Sequence, residues 1–114
     1  MHRFLWKEGF NIYRSEIMLD GGALLTDGHG TYVMTRRILS DNQGILNLYA
    51  KLEAWLGASR IIVVDEEPDD LLGHINHFKF ISPTEIIVGR PDKTGTKLYH
   101  YLDNLSKLFQ KKGL

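Results

Sequence analysis

The sequence contains no cysteine. That excludes disulfides, thiolate metal centres and any thiol nucleophile contributed by these 114 residues. It also fits a reducing compartment, and the expected location is cytoplasmic. An excess of charge is equally absent: 14 Lys and Arg face 14 Asp and Glu. A general nucleic-acid binder carries a basic surplus, so the balance argues against a nucleic-acid partner. Zero net charge also offers little electrostatic resistance to self-association. No apolar run approaches the ~18 residues of a membrane-spanning helix. The first ten residues, MHRFLWKEGF, lack the apolar stretch of a signal peptide. No membrane partner is expected.

What remains is an ordinary globular composition, 43% hydrophobic and 25% charged. The length suits a single domain over residues 1–114. Residues 12–19, IYRSEIML, have strand-like composition with imperfect alternation. Residues 23–26 form a second short strand, Asp27-Gly28-His29-Gly30 a hairpin turn suited to a type I′ Asp-Gly pair, and residues 31–35 the returning strand. Residues 36–39 add a helical turn. Apolar residues three and four apart predict a helix over 45–56, capped by Asp41 or Asn42 and stopped by Gly57. Residues 60–65, RIIVVD, read as a buried strand, followed by the acidic loop EEPDD at 66–70. Strands follow at 75–81 and 85–89, then a helix over 96–111 with Leu98, Tyr101, Leu102, Leu105, Leu108 and Phe109 as its stripe. The order β–β–β–α–β–β–β–α defines an α/β (α+β) protein with mixed β-sheet modules and two main helices.

Four of the 11 glycines lie in 19–31, LDGGALLTDGHGT. The stretch is not a P-loop, because no Gly-Lys-Ser/Thr follows, and it lacks the G-x-G-x-x-G spacing of a dinucleotide site. Two tight turns account for it. The alternative is that a bent backbone presents Asp20, just before Gly21-Gly22, to a pocket. Gly73-His74-Ile75-Asn76 opens an expected strand, on which His74 and Asn76 share a side and could hold a planar polar group. A plain surface histidine is the competing reading. His74, His77, Asp69 and Asp70 are metal-ligand types, but histidines three apart on a strand face opposite ways and no zinc spacing is matched, so no metal is expected. Glu66, Glu67, Asp69 and Asp70 read as a solvated loop, or as carboxylates that draw a cation toward His74. No G-x-S-x-G nucleophile elbow occurs. Taken singly, these spots do not separate an enzyme from a binding module or from an unrelated small α/β protein.

Taken together and in order, they resemble one family. LDGGALLTDGHGTYVMTRRIL resembles the stretch around the Glu-Gly-Gly motif of agmatine deiminases, and GHINHFKFISPTEIIVG is similar to their Gly-His-[Val/Ile]-Asp strand. The resemblance covers roughly residues 15–111 and extends to bacterial-type peptidyl-arginine deiminases. It implies the guanidino-group-modifying fold, a five-bladed α/β propeller, of which this chain has room for about two blades, near 10–57 and 58–113. It also implies hydrolysis of the agmatine guanidinium to N-carbamoylputrescine and ammonia through a cysteine thiolate, a proton-transferring His and guanidinium-holding carboxylates, with no metal or organic cofactor. By that resemblance Asp20 stands for the motif Glu and binds substrate, His74 is the catalytic His, and Asn76 replaces the substrate-binding Asp. The cysteine has no counterpart here. The expectation is a two-blade fragment, inactive as a deiminase by itself, that retains a guanidino-ligand site or a structural role and forms a homodimer or other homo-oligomer. The alternative is an amidine hydrolase completed by a partner chain.

Overall fold

The computed structural model describes Gly9 and residues 11–114. A 3-10 turn at Gly21–Ala23 leads into β1 (Leu24–Thr26) and β2 (Thr31–Thr35), then α1 (Arg36–Asp41), α2 (Leu48–Leu56) and β3 (Arg60–Val64). After a long loop come β4 (Phe78–Ser82), β5 (Glu85–Val88) and α3 (Lys97–Lys111). β1 and β2 pair antiparallel, and β3 joins β2 in parallel, with Val33 opposite Ile62 and Met34 opposite Val63. A parallel partner needs a crossover, which α1 and α2 supply. β4 and β5 form a separate antiparallel pair. Among the described residues the fold is therefore mixed α/β, with two sheets and three helices, the class that the order of elements in the sequence predicts.

The three-stranded sheet is buried on both faces because its residues alternate. Val33, Ile62 and Val64 point to one side and pack with Phe78, Leu102, Leu105 and Phe109. Met34 packs on the other side with Ala23, Ile38 and Leu52. α3 delivers the predicted stripe: Leu102, Leu105 and Phe109 are buried, and Thr96 caps its start by accepting the Tyr99 N–H at 3.1 Å. Gly57 ends α2 in the left-handed conformation, as expected of a glycine stop. Because β3 pairs with β2, the first sheet draws on residues from both sides of position 57.

Five expectations are corrected. Residues 12–19 form no strand; they run as a strap over the first helices, with Ile17 against the Met34 cluster. The second helix starts at Leu48, not 45, because Gly44 and Asn47 take positive φ (91° and 55°) and break the turn pattern. Asn42 is the C-cap of α1, not an N-cap of the next helix, and Leu46 is exposed. In the β1–β2 connection positive φ falls on Gly28 and Gly30 rather than on an Asp27-Gly28 pair, while Asp27 accepts the N–H groups of His29 and Thr31, so the turn is not type I′. The strand expected over 75–81 begins only at Phe78, for a reason that lies in the site. Among the described residues no helix is long and apolar enough to cross a membrane.

Candidate functional site

Asp20 reaches its place through a buried clasp. The Asn42 side chain grips the Met18 peptide on both sides: Oδ1 accepts Met18 N–H at 2.7 Å, and Nδ2 donates to Met18 O at 2.8 Å. Nδ2 also donates to Ile38 O at 2.7 Å, which ties the strap to α1. Two residues on, Asp20 caps the 3-10 turn, its Oδ1 accepting Gly22 N–H at 3.0 Å. Its other oxygen, Oδ2, lies 2.8 Å from His74 Nε2. These contacts, His74 first and the Gly22 N–H second, hold the Asp20 carboxyl below its ordinary range. An ionised Asp20 fixes the proton on Nε2, since a carboxylate can only accept. His74 Nδ1 makes no hydrogen bond to the described residues.

The two glycines of the motif have distinct uses. Gly21 has open space around it, but a Cβ on Gly22 would lie 2.7 Å from three atoms of the His74 ring. The imidazole therefore rests on a bare Cα. The Ile75 N–H donates to Gly22 O at 2.7 Å, so main chain as well as side chain joins the two segments. Gly73, buried at φ 66°, is equally constrained: a Cβ there would meet Glu66 Oε1 at 2.5 Å and Arg37 Cβ at 2.9 Å. Its carbonyl accepts the hydroxyl of buried Thr35 at the end of β2.

The acidic loop is tied rather than solvated. Asp65 pairs with Arg36, and Glu66 with Arg37 at 2.8 Å, and these carboxylates raise both guanidinium pKa values further. Glu67 is mostly buried and pairs with His77 Nδ1. Tyr101 donates to Asp65 O at 2.6 Å; burial first, then the surrounding carboxylates, push its hydroxyl well above the usual tyrosine range. Asp70 accepts Leu72 N–H at 3.0 Å on Oδ1, and both His74 N–H at 3.1 Å and Asn76 Nδ2 at 2.8 Å on Oδ2. The Leu72 N–H and the Asn76 amide lead the effects that hold its carboxyl below the ordinary range. Only Asp69 of the run is exposed with left-handed φ (64°).

Of the sequence-predicted residues, Asp20 and His74 meet although 54 positions apart. Asn76 does not share a strand face with His74. Both precede β4, because the backbone from 73 to 75 bonds to Thr35, Asp70 and Gly22 instead of to a neighbouring strand. Both oxygens of Asp20 are engaged within the chain, Oδ1 by the Gly22 N–H and Oδ2 by His74 Nε2. His77 is engaged by Glu67 and not by His74, and among the described residues no group of three His, Asp or Glu side chains is arranged to hold a metal. Sequence reasoning named Asn42 only as a candidate helix cap and Asp70 only as one of a run of carboxylates, and missed what each holds. Both act mainly on peptide groups, which leave no side-chain spacing to read.

A mixed sheet with a crossover, a hairpin-plus-helix unit beside it and a carboxylate–histidine pair between them make up an α/β segment whose fold can be matched to known proteins. The sequence matches the Porphyromonas-type peptidyl-arginine deiminase family over residues 1–113, and the chain belongs to that family. No curated protein matches it. Among solved structures it is similar to C. jejuni agmatine deiminase (TM-score 0.81, 21% identity, 98% of this chain and 36% of that one). It is also similar to the Enterococcus faecalis agmatine deiminase (0.80, 22%, 98% and 34%). A Porphyromonas gingivalis protein assigned as an arginine deiminase gives 0.72 at 28% identity over 92% of this chain and 35% of its own. The chain thus spans about a third of the length of these proteins.

Proposed function

We propose that this chain is a guanidino-ligand-binding module of the deiminase fold that does not hydrolyse its ligand by itself. The observation that carries the reading is the assembled Asp20–His74 pair, 2.8 Å apart, with the Asn76 amide tied through Asp70 to the His74 main chain. A guanidinium stays protonated and offers planar N–H donors, which a carboxylate and an amide oxygen accept. The step that would break its C–N bond needs a nucleophile, and the 114 residues hold no thiol. Asn76 keeps an acceptor but not a charge; a charge-assisted bond is worth about 1.5–3 kcal/mol, so affinity falls ~10- to 100-fold relative to an aspartate in an otherwise neutral setting. Incubation with agmatine and with peptidyl-arginine is expected to release no ammonia above a blank, while calorimetry detects weak agmatine binding that His74→Ala and Asp20→Asn reduce. Ammonia release that His74→Ala abolishes overturns the inactive reading.

A second reading, completion by a partner chain, is favoured by one feature: His74 keeps an orienting carboxylate and an uncommitted Nδ1, which pure binding does not need. Co-expression with a neighbouring reading frame, followed by an agmatine assay with and without thiol alkylation, tests it. Activity that alkylation destroys supports a supplied cysteine.

Self-association belongs to the same proposal. Tyr13, Met18, Leu46, Tyr49 and Trp55 stand exposed around α2, and Ile81 and Ile87 on the hairpin. Contact between copies of the chain would cover such surface, and the balanced charge does not oppose it. A homodimer is the expected species in light scattering, and a monomer at high micromolar concentration contradicts it. The proposed location is the cytoplasm, tested by fractionation of the source cells.

A further inference from the structure

We propose that Asp70, together with Glu67, is the positioning residue of this site: the two carboxylates lock the Asn76 side chain with Nδ2 turned toward them, so that position 76 offers a ligand an acceptor oxygen only, while Asp70 also pins the His74 main chain. The proposal deepens the guanidino-binding reading and rests on it for the nature of the ligand.

The geometry carries the argument. Asn76 Nδ2 lies 2.8 Å from Asp70 Oδ2 and 3.1 Å from Glu67 Oε2. An amide nitrogen has two hydrogens, and the two carboxylates take both at short range, with His74 O a more distant neighbour at 3.5 Å. The reverse orientation would set the amide oxygen against two carboxylate oxygens with no donor between them. The chemistry of the neighbours therefore decides the orientation. Oδ1 accepts no hydrogen bond from the described residues and is the group left to meet a ligand. It accepts from N–H and cannot donate, so the site takes amidinium, guanidinium or ammonium groups and gives a carboxylate nothing to bind.

The same arrangement changes the meaning of asparagine at this position. Asp70 and Glu67 are each fixed from behind: Asp70 by Leu72 N–H, Glu67 by His77. Arg37, paired with Glu66, and exposed Asp69 complete the charged surroundings. An aspartate at 76 would be a third carboxylate within hydrogen-bonding distance of two others, and like charges at that range drive protonation or separation. Asn76 instead transmits two carboxylate dipoles through one neutral amide. Restoring the family's aspartate in this chain therefore fails to tighten agmatine binding.

The test is NMR on uniformly ¹⁵N-labelled full chain. The Asn76 side-chain NH₂ pair is expected to be displaced from those of the other asparagines, and to move as pH falls through the carboxylate range. Asp70→Asn removes the displacement and shifts the His74 backbone amide, and agmatine Kd rises ~10-fold by the loss of a charge-assisted positioning bond. Glu67→Gln gives a smaller change of the same kind, and Asn76→Asp leaves agmatine affinity equal or weaker. The wild-type pH titration needs no variant, so the test survives poor folding of Asp70→Asn. An Asn76 NH₂ pair that behaves like a solvated amide overturns the proposal, as does tenfold tighter agmatine binding by Asn76→Asp. A displaced, titrating pair without any agmatine binding supports the positioning role and counts against the guanidino reading alone.

Discussion

Residues 21–64 and residues 78–111 begin alike, with a hairpin followed by helix, but end differently. In the first, the chain returns after its helices to add β3 in parallel to β2, so β2 is paired on both edges and four of its five residues are buried. In the second, β4 and β5 pair only with each other among the described residues, and β5 alternates between exposed and half-buried positions. Burial of a strand thus follows from being central, which the local composition of EIIV and TYVMT does not reveal. The second unit is held by its apolar face: Phe78, Leu102, Leu105 and Phe109 pack on Val33, Ile62 and Val64 of the first. Asp20 stands at the entrance of the first unit and His74 in the connection between the two, so the candidate site depends on how they are joined.

The largest effect is expected where the units share a core. Phe109→Ala removes a buried ring packed 5.2 Å from Phe78 and costs about 3–5 kcal/mol. Urea unfolding should remain a single transition at lower midpoint; two separate transitions, one unchanged, would show the units to be independent. Next is Asn42→Ala, which leaves the Ile38 and Met18 peptide groups without their partner, at about 1–3 kcal/mol. Its mark is local: hydrogen exchange of residues 15–20 accelerates while β4 and β5 keep their protection. Ile87→Ala, on the open hairpin, is expected to stay within about 0.5 kcal/mol. A larger loss accompanied by a drop in molecular mass would show that a second copy covers this face.

The smallest effect is on pH. The Asp20 carboxyl has its folded pKa lowered below 3.8, chiefly by His74. A lowered acid contributes stability that is present above its ordinary pKa and is lost as pH falls through the folded value. Thermal melts from about pH 5 down to pH 2 should therefore show a Asp20-dependent slope only below the ordinary value, absent in Asp20→Asn. A slope that persists in the variant assigns it to other carboxylates, Asp70 among them.

The sequence exposes the parts with a strong local signal: α3 by its three-and-four spacing, β3 by its continuous apolar run, and β2 by the glycine-containing turn that precedes it. The strap at 12–19 and the segment at 74–76 have the composition of strands, yet the peptide groups of Met18, His74 and Ile75 are taken by Asn42, Asp70 and Gly22. Composition carries no information about which partner a peptide group will find. The site divides the same way. Asp20 and His74 are legible as motif positions, whereas Asn42 is 24 positions from Met18 and has no signature other than a polar residue after a short helix.

The bare Cα of Gly22 under the His74 ring has a consequence for how this site changes over time. The volume above position 22 is already occupied by residue 74, so the two positions behave as one heritable unit. A side chain can enter at 22 without strain only in a background where the imbalance is first relieved at 74. Substitution in the opposite order meets a barrier. A His74→Ala background is accordingly expected to accept alanine at position 22 where the histidine background does not.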